Sequence, residues 1–359
     1  MLAYELPQKA FIEFKPYEVD RASGDCRGQT FSILLNYLGY EIDPIDIFSL
    51  GNGLDFKISE AMFRGLNLVG IQGRDFEAET NCCNLLNIPC EKKYSKWKID
   101  NEEAKAPFDI EILSKVAKGE PALINCDIYY IDYITDITRR HNRYHMVIMI
   151  GYDLEKETVT VFDILTNKNH EIPMIKLREA MFKKSISSLE DGLWYDIKKC
   201  SNVQITKDKY LESIKIQGEN ALSKDGSIEN LEKFIGFVER IENRAKEGSA
   251  NHEKYLVALL QANCLLIRRQ DELNGTFYRS IYEEFLKRNS KDSPDIMKAA
   301  KLMKKSGALW RKLAFKVRYV RGSSIKQCDL FISFLKEIYK IEKEMNLYLK
   351  EYVKKKESV

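Results

Sequence analysis

The chain has 359 residues, 44% of them hydrophobic and 31% charged, with a net charge of only +3. That is enough for two domains with sizeable cores, and the lack of any apolar run of spanning length argues against a membrane helix. Charge is unevenly spread: residues 296–359 carry 17 Lys+Arg against 6 Asp+Glu, a net +11, which leaves −8 on residues 1–295.

A basic end on an acidic protein suits an acidic partner surface, or simply a solvated helix face. No nucleic-acid motif accompanies it, so neither nucleic acid nor membrane is expected as a partner. The start, Met1-Leu2-Ala3-Tyr4-Glu5, has no basic or apolar stretch of the signal-peptide kind. Eight cysteines (26, 82, 83, 90, 126, 200, 264 and 328) form no C-x-x-C pair. They read as reduced thiols of a cytoplasmic protein, with no metal site.

In chain order, residues 1–25 form an irregular lead-in with short extended pieces such as Ala10–Phe14. A helix is predicted from Cys26 to about Leu38, with Phe31, Leu34, Leu35 and Leu38 on its buried face and Gly39 ending it. A short helix follows at Pro44–Leu50, then the turn-rich loop Gly51-Asn52-Gly53-Leu54-Asp55-Phe56. Leu66–Ile71 reads as a strand, Phe76–Ile88 as a helix closed by Pro89, and Ile110–Lys118 as a short helix. Three strands come next, Pro121–Tyr130, Tyr144–Tyr152 and Thr158–Asp163, forming an antiparallel meander, with a further strand starting near Asn167.

From about Lys207 the pattern is all-helical, over 229–244, 253–270, 277–287, 294–320 and 326–354. The expected architecture is therefore α+β, with a domain at 1–205 and a helical domain at 206–359.

Cys26 sits where a polar loop meets an apolar helix, among first-turn N–H groups that favour an anion. Most free cysteines are merely buried, so a nucleophile also requires a base and a group that orients the base. His145 begins one strand of the meander and Asp163 ends the next, each some eight to ten positions from the intervening turn. Near-opposite cross-strand residues have Cβ atoms about 5 Å apart, which lets the Asp163 carboxylate hold the imidazole. The loop residue His141 lies among arginines and is the weaker base, and His170 and His252 have no evident partners.

Several segments in order carry a resemblance: Gly24-Asp25-Cys26, Gly51-Asn52-Gly53-Leu54, Gly73-Arg74, Asp127-x-Tyr129-Tyr130-x-x-Tyr133 and His145-x-Val147-x-x-x-Gly151-Tyr152-Asp153. They resemble the N-terminal domain of the butirosin-biosynthesis protein H family, itself similar to papain-like C39 cysteine peptidases. Gly275-x-Phe277-Tyr278-Arg279 looks like the helical domain that follows in that family.

The resemblance implies a papain-like fold with Cys26, His145 and Asp163 as a catalytic triad. It also implies acyl transfer from the phosphopantetheine of an acyl or peptidyl carrier protein to a small-molecule amine, with no cofactor of the enzyme's own. The chain is similar, too, to transglutaminase-like amide synthases.

Two departures stand out. Asp25 occupies the place where the family commonly has His, and residues 18–22 offer no papain-type oxyanion glutamine, Gln29 lying after the cysteine instead. Gln29, Asp127, Tyr130, Tyr278 and Arg279 are the candidate substrate-binding residues. The rival readings are a cysteine peptidase or thioesterase that uses water as acceptor, and a binding module without catalysis.

Overall fold

The computed structural model describes residues 6–18, 24–63, 66–95, 108–134, 145–182, 191–199, 203–247, 276–291, 293–318 and 326–357. The predicted helix at 253–270 and both His141 and His252 lie outside them.

Among the described residues the strands are β1 (Lys9–Phe11), β2 (Leu54–Phe63), β3 (Leu66–Arg74), β4 (Cys90–Tyr94), β5 (Ala122–Cys126), β6 (His145–Asp153), β7 (Thr158–Asp163), β8 (Lys168–Pro173) and β9 (Leu193–Ile197). The helices are α1 (Cys26–Tyr37), α2 (Pro44–Leu50), α3 (Ala78–Leu86), α4 (Ile110–Ala117), α5 (Met174–Phe182), α6 (Lys207–Leu222), α7 (Ser227–Glu247), α8 (Thr276–Arg288), α9 (Pro294–Arg318) and α10 (Lys326–Glu357), with a 3-10 turn at Ile128–Tyr130.

The chain divides into two units, one made of residues 1–47 and 86–204, the other of 48–85 and 205–359. The expected linear division at 205/206 thus meets a different grouping for 48–85, and the reason is a hairpin. Leu54–Phe56, read from sequence as loop, begins β2, which pairs antiparallel with β3. Phe56, Val69 and Ile71 of that hairpin are buried in one apolar cluster with Leu231, Phe234, Trp310, Leu313, Leu335 and Ile338 of the helices. Apolar area of this kind is worth about 25 cal/mol per Å² removed from water, so the hairpin's hydrophobic face ties it to the helical unit.

The first unit is built on an antiparallel sheet ordered β4-β9-β5-β6-β7-β8, with β1 pairing onto β6. Every residue of β5 and β6 is buried, as central strands require. Helix α1 is buried over Arg27–Leu35 rather than on one face. Its polar residues are accordingly satisfied inside the protein. Ser32 Oγ donates to the Ile42 carbonyl at 2.6 Å, Arg27 donates to Asn125 Oδ1 at 3.0 Å and to the Tyr195 hydroxyl at 2.5 Å, and Phe31 packs edge-on against Tyr195.

One irregularity in the sheet bears directly on the site. Between β6 and β7, Met149 opposes Val161 but Gly151 opposes Thr160, so Ile150 is an extra residue in β6. This is a β-bulge. Gly151 beside it serves a close approach: a Cβ there would stand 2.9 Å from the Ala10 carbonyl oxygen of β1.

Candidate active site

Cys26 is the first residue of α1, and Asp25 is its N-cap, in extended conformation (φ −74°, ψ 164°). The Asp25 carboxylate accepts the Gly28 N–H at 2.7 Å, the bond an N-cap makes. Asp25, where the resembled family has His, is thus the residue that starts the helix. Gln29 Nε2 donates to the Gly24 carbonyl at 2.5 Å, and Thr30 Oγ1 donates to the Cys26 carbonyl at 2.7 Å. These two bonds clamp the loop before Cys26 onto the helix after it. Cys26 is partly exposed, whereas Cys82, Cys83 and Cys126 are buried.

His145 and Asp163 meet: Nε2 and Oδ2 are 2.8 Å apart, in side chains only 1% and 0% exposed. The bulge makes this possible. Continued from the Tyr152–Val159 pair, an unbroken register sets Asp163 opposite Ile148, one residue out of phase with His145 and so on the other face of the sheet. The extra Ile150 shifts the ladder so that Ile148 opposes Phe162, and Asp163 falls opposite Val147. Val147 shares the face of His145, and Asp163 reaches the imidazole diagonally. A lone glycine in a strand pattern is the signal for a bulge that sequence offers here, at Gly151.

The electrostatics follow from the burial. Desolvation alone pushes the His145 pKa down, but the Asp163 carboxylate and the Cys26 thiol outweigh it, and the imidazole stands at about 10. His145 Nδ1, the nitrogen not bonded to Asp163, is buried without a hydrogen-bond partner, and the Cys26 side chain is the other group that acts on this ring. For Asp163, burial works to raise the pKa, but His145, the Leu165 N–H and the Tyr133 hydroxyl hold it below the ordinary carboxylate value. Cys126 is the cross-strand partner of His145. Burial first, then the Asp163 and Asp127 carboxylates, push its pKa up, so it stays a neutral thiol.

The remaining sequence candidates have other partners. Asp127 is fully buried and caps the 3-10 turn, accepting from the Tyr129 N–H at 3.1 Å. Tyr130 is partly exposed and packs edge-on against Tyr129, with ring centroids 5.1 Å apart. Tyr278 and Arg279 belong to the helical unit. The Tyr278 ring stacks on Phe48 at 5.3 Å, and with Phe48 and Phe76 it surrounds the Arg74 guanidinium. Arg279 is 1% exposed and grips Glu342 with both ends of its fork, Nε to Oε1 at 2.8 Å and a terminal nitrogen to Oε2 at 3.0 Å. Its guanidinium is thus engaged in a buried ion pair.

Cys26, His145 and Asp163 all fall within residues 25–164, which match the family model described as butirosin biosynthesis protein H, N-terminal. This segment is butirosin biosynthesis protein H-like. A search of the curated proteins found no match. Within the butirosin H-like segment, sequence reasoning quoted Tyr133 but gave it no role. The structure sets its hydroxyl 2.8 Å from Asp163 Oδ2. Among the described residues no cluster of His, Cys, Asp and Glu is arranged to hold a metal ion, and no helix is long and apolar enough to cross a membrane.

Proposed function

We propose that this protein is an acyltransferase of natural-product biosynthesis, working on a papain-like scaffold in the cytoplasm. It moves an acyl group from a carrier-protein thioester to a small-molecule amine by way of a Cys26 acyl-enzyme. The match of residues 25–164 to butirosin biosynthesis protein H supports the biosynthetic setting. The observation that carries the chemistry is the His145 imidazole, gripped by Asp163 through Nε2 and left with an unpartnered, buried Nδ1 beside a partly exposed cysteine at a helix start.

In this reading His145 is an imidazolium at neutral pH and steadies the Cys26 thiolate. The thiolate attacks the thioester carbonyl, and the carbon–sulfur bond to the phosphopantetheine arm breaks. His145 gives its proton to the departing carrier thiolate and becomes the neutral base. The acceptor amine then attacks the acyl-enzyme, its proton passes to His145, and Cys26 leaves as the thiolate with the amide released. Thioester exchange is close to thermoneutral and amide formation from a thioester is downhill, so the sequence of steps calls for neither ATP nor a metal. The Cys26 N–H, at the first position of α1, is the natural donor to the oxyanion.

The test is intact-mass spectrometry after mixing the protein with acyl-loaded carrier protein. The expected result is one acyl adduct, absent in Cys26→Ala and discharged as an amide by added amine. Discharge to free acid at the same rate with and without amine would make the protein a thioesterase. No adduct with any donor would remove the enzymatic reading.

A further inference from the structure

Asp163 is held on both of its oxygens. Oδ1 accepts the Leu165 N–H at 2.8 Å, and Oδ2 accepts the Tyr133 hydroxyl at 2.8 Å as well as facing His145 Nε2 at 2.8 Å. Two donors therefore share one lone-pair-bearing oxygen. Tyr133 is itself braced: its ring lies flat on His170, with centroids 3.7 Å apart and planes 1° from parallel. His170 is anchored in turn, Nε2 lying 2.7 Å from Thr166 Oγ1, and that hydroxyl donates to the Asp163 carbonyl at 3.2 Å. Tyr133 follows the 3-10 turn, His170 lies on β8, and Thr166 belongs to the β7–β8 turn. Three separate pieces of chain converge behind one carboxylate, and none of the proposed chemical steps uses them.

We propose that Tyr133, braced by His170, is a positioning residue that acts through Asp163 on His145, fixing the carboxylate plane and moderating how strongly Oδ2 pulls on the imidazole. A donor on Oδ2 competes with His145 Nε2–H for electron density. Without it the carboxylate swings more freely about its side-chain bonds while binding the imidazolium proton more tightly. A small displacement of a catalytic group costs rate even when its charge is unchanged. The titratable groups facing His145 are Cys26 of α1, Cys126 of β5 and Asp163 of β7, and Tyr133 reaches it only by way of Asp163.

For its rate arm the proposal rests on the acyl-transfer reading; its spectroscopic arm does not. The variant is Tyr133→Phe, which keeps the ring on His170 and removes only the donor. In protein labelled with ¹⁵N-histidine, the His145 Nε2–H proton resonance is expected to move downfield of wild type, because Oδ2 then serves a single side-chain donor. The rate constant for acyl-enzyme formation is expected to fall about tenfold at unchanged half-saturation by the donor, the loss of one charge-assisted hydrogen bond.

His170→Ala, which leaves the hydroxyl but removes its platform, is expected to lower the same rate constant several-fold. Thermal unfolding of both variants accompanies the measurements, and if His170→Ala is misfolded, Tyr133→Phe, which removes a single hydroxyl, decides. A resonance that does not move in Tyr133→Phe overturns the proposal, as does an unchanged acylation rate in either variant. Failure of wild type to form any acyl-enzyme overturns the acyl-transfer reading instead, and leaves the resonance to decide the role of Tyr133.

Discussion

Asp163 reaches His145 although the two are not cross-strand partners: their 2.8 Å contact runs diagonally, across a ladder that Ile150 has shifted by one residue. In the full strand the contact thus depends on Ile150 standing outside the ladder. Deleting Ile150 closes the bulge but keeps the pairs on either side of it, Met149 with Val161 and Gly151 with Thr160, so Asp163 stays on the face of His145. The expected outcome is a protein that keeps both its strand signal in circular dichroism and the His145–Asp163 bond. Histidine NMR would then find the His145 pKa still raised to about 10, and acyl-enzyme formation would persist. A His145 pKa back in its ordinary range would show that the local geometry of the bulge, rather than the register, holds the pair.

Asp163→Asn tests the charge alone. The His145 pKa is raised from 6.5 to about 10, so its pairing stabilises the fold fully below pH 6.5 and less and less as pH climbs to about 10. The Asp163 pKa is lowered from 3.8, so its share is present above that pH and is lost as pH falls further. Wild type should therefore be most stable between pH 3.8 and 6.5 in pH-dependent urea melts, with an alkaline fall that runs from 6.5 to about 10. In Asp163→Asn the alkaline fall should move to lower pH, by one unit or more, and so should the alkaline limb of acyl-enzyme formation. An alkaline limb at the same pH in both proteins would detach Asp163 from His145.

Asp25 is expected to matter to the helix rather than to proton transfer. Its carboxylate accepts the Gly28 N–H at 2.7 Å. Asp25→Ala should cost about 1 kcal/mol of stability, as N-cap losses do, while Asp25→Asn, which keeps an acceptor oxygen, should stay within a few tenths of a kcal/mol of wild type. Chemical denaturation of the three proteins separates them. If Asp25→Asn loses as much as Asp25→Ala, charge rather than capping is what counts at this position.

Arg279 offers a test in the helical unit. Glu342 is buried and accepts from Arg279, from Ser306 Oγ and from Trp310 Nε1. Arg279→Met strands that carboxylate, at a cost of about 3–5 kcal/mol, whereas Arg279→Met with Glu342→Leu removes both charges and should recover most of the loss. A double variant no more stable than the single one would show that the pair does more than compensate for its own burial.

Local rules were enough for much of this. The 3.6-residue spacing of Phe31, Leu34, Leu35 and Leu38 called for α1, the β-branched runs called for β6 and β7, and the chain positions of Cys26, His145 and Asp163 singled those three out. These signals lie in neighbouring residues, where propensity and periodicity act.

Other features had no such local mark. Leu54–Phe56 read as a turn because its partner strand and the helices that bury Phe56 lie far along the chain. Arg279 carried no local mark of its buried partner because Glu342, 63 positions away, is invisible to spacing. The meeting of His145 with Asp163 was legible in outline, but which face each would occupy was decided by a single bulge, because a pleated strand alternates every residue and one insertion reverses it. Sequence thus named the three residues that the proposed mechanism uses. The tertiary structure decided their register and surroundings, including Tyr133 and His170, because those depend on long-range pairing that no local pattern encodes.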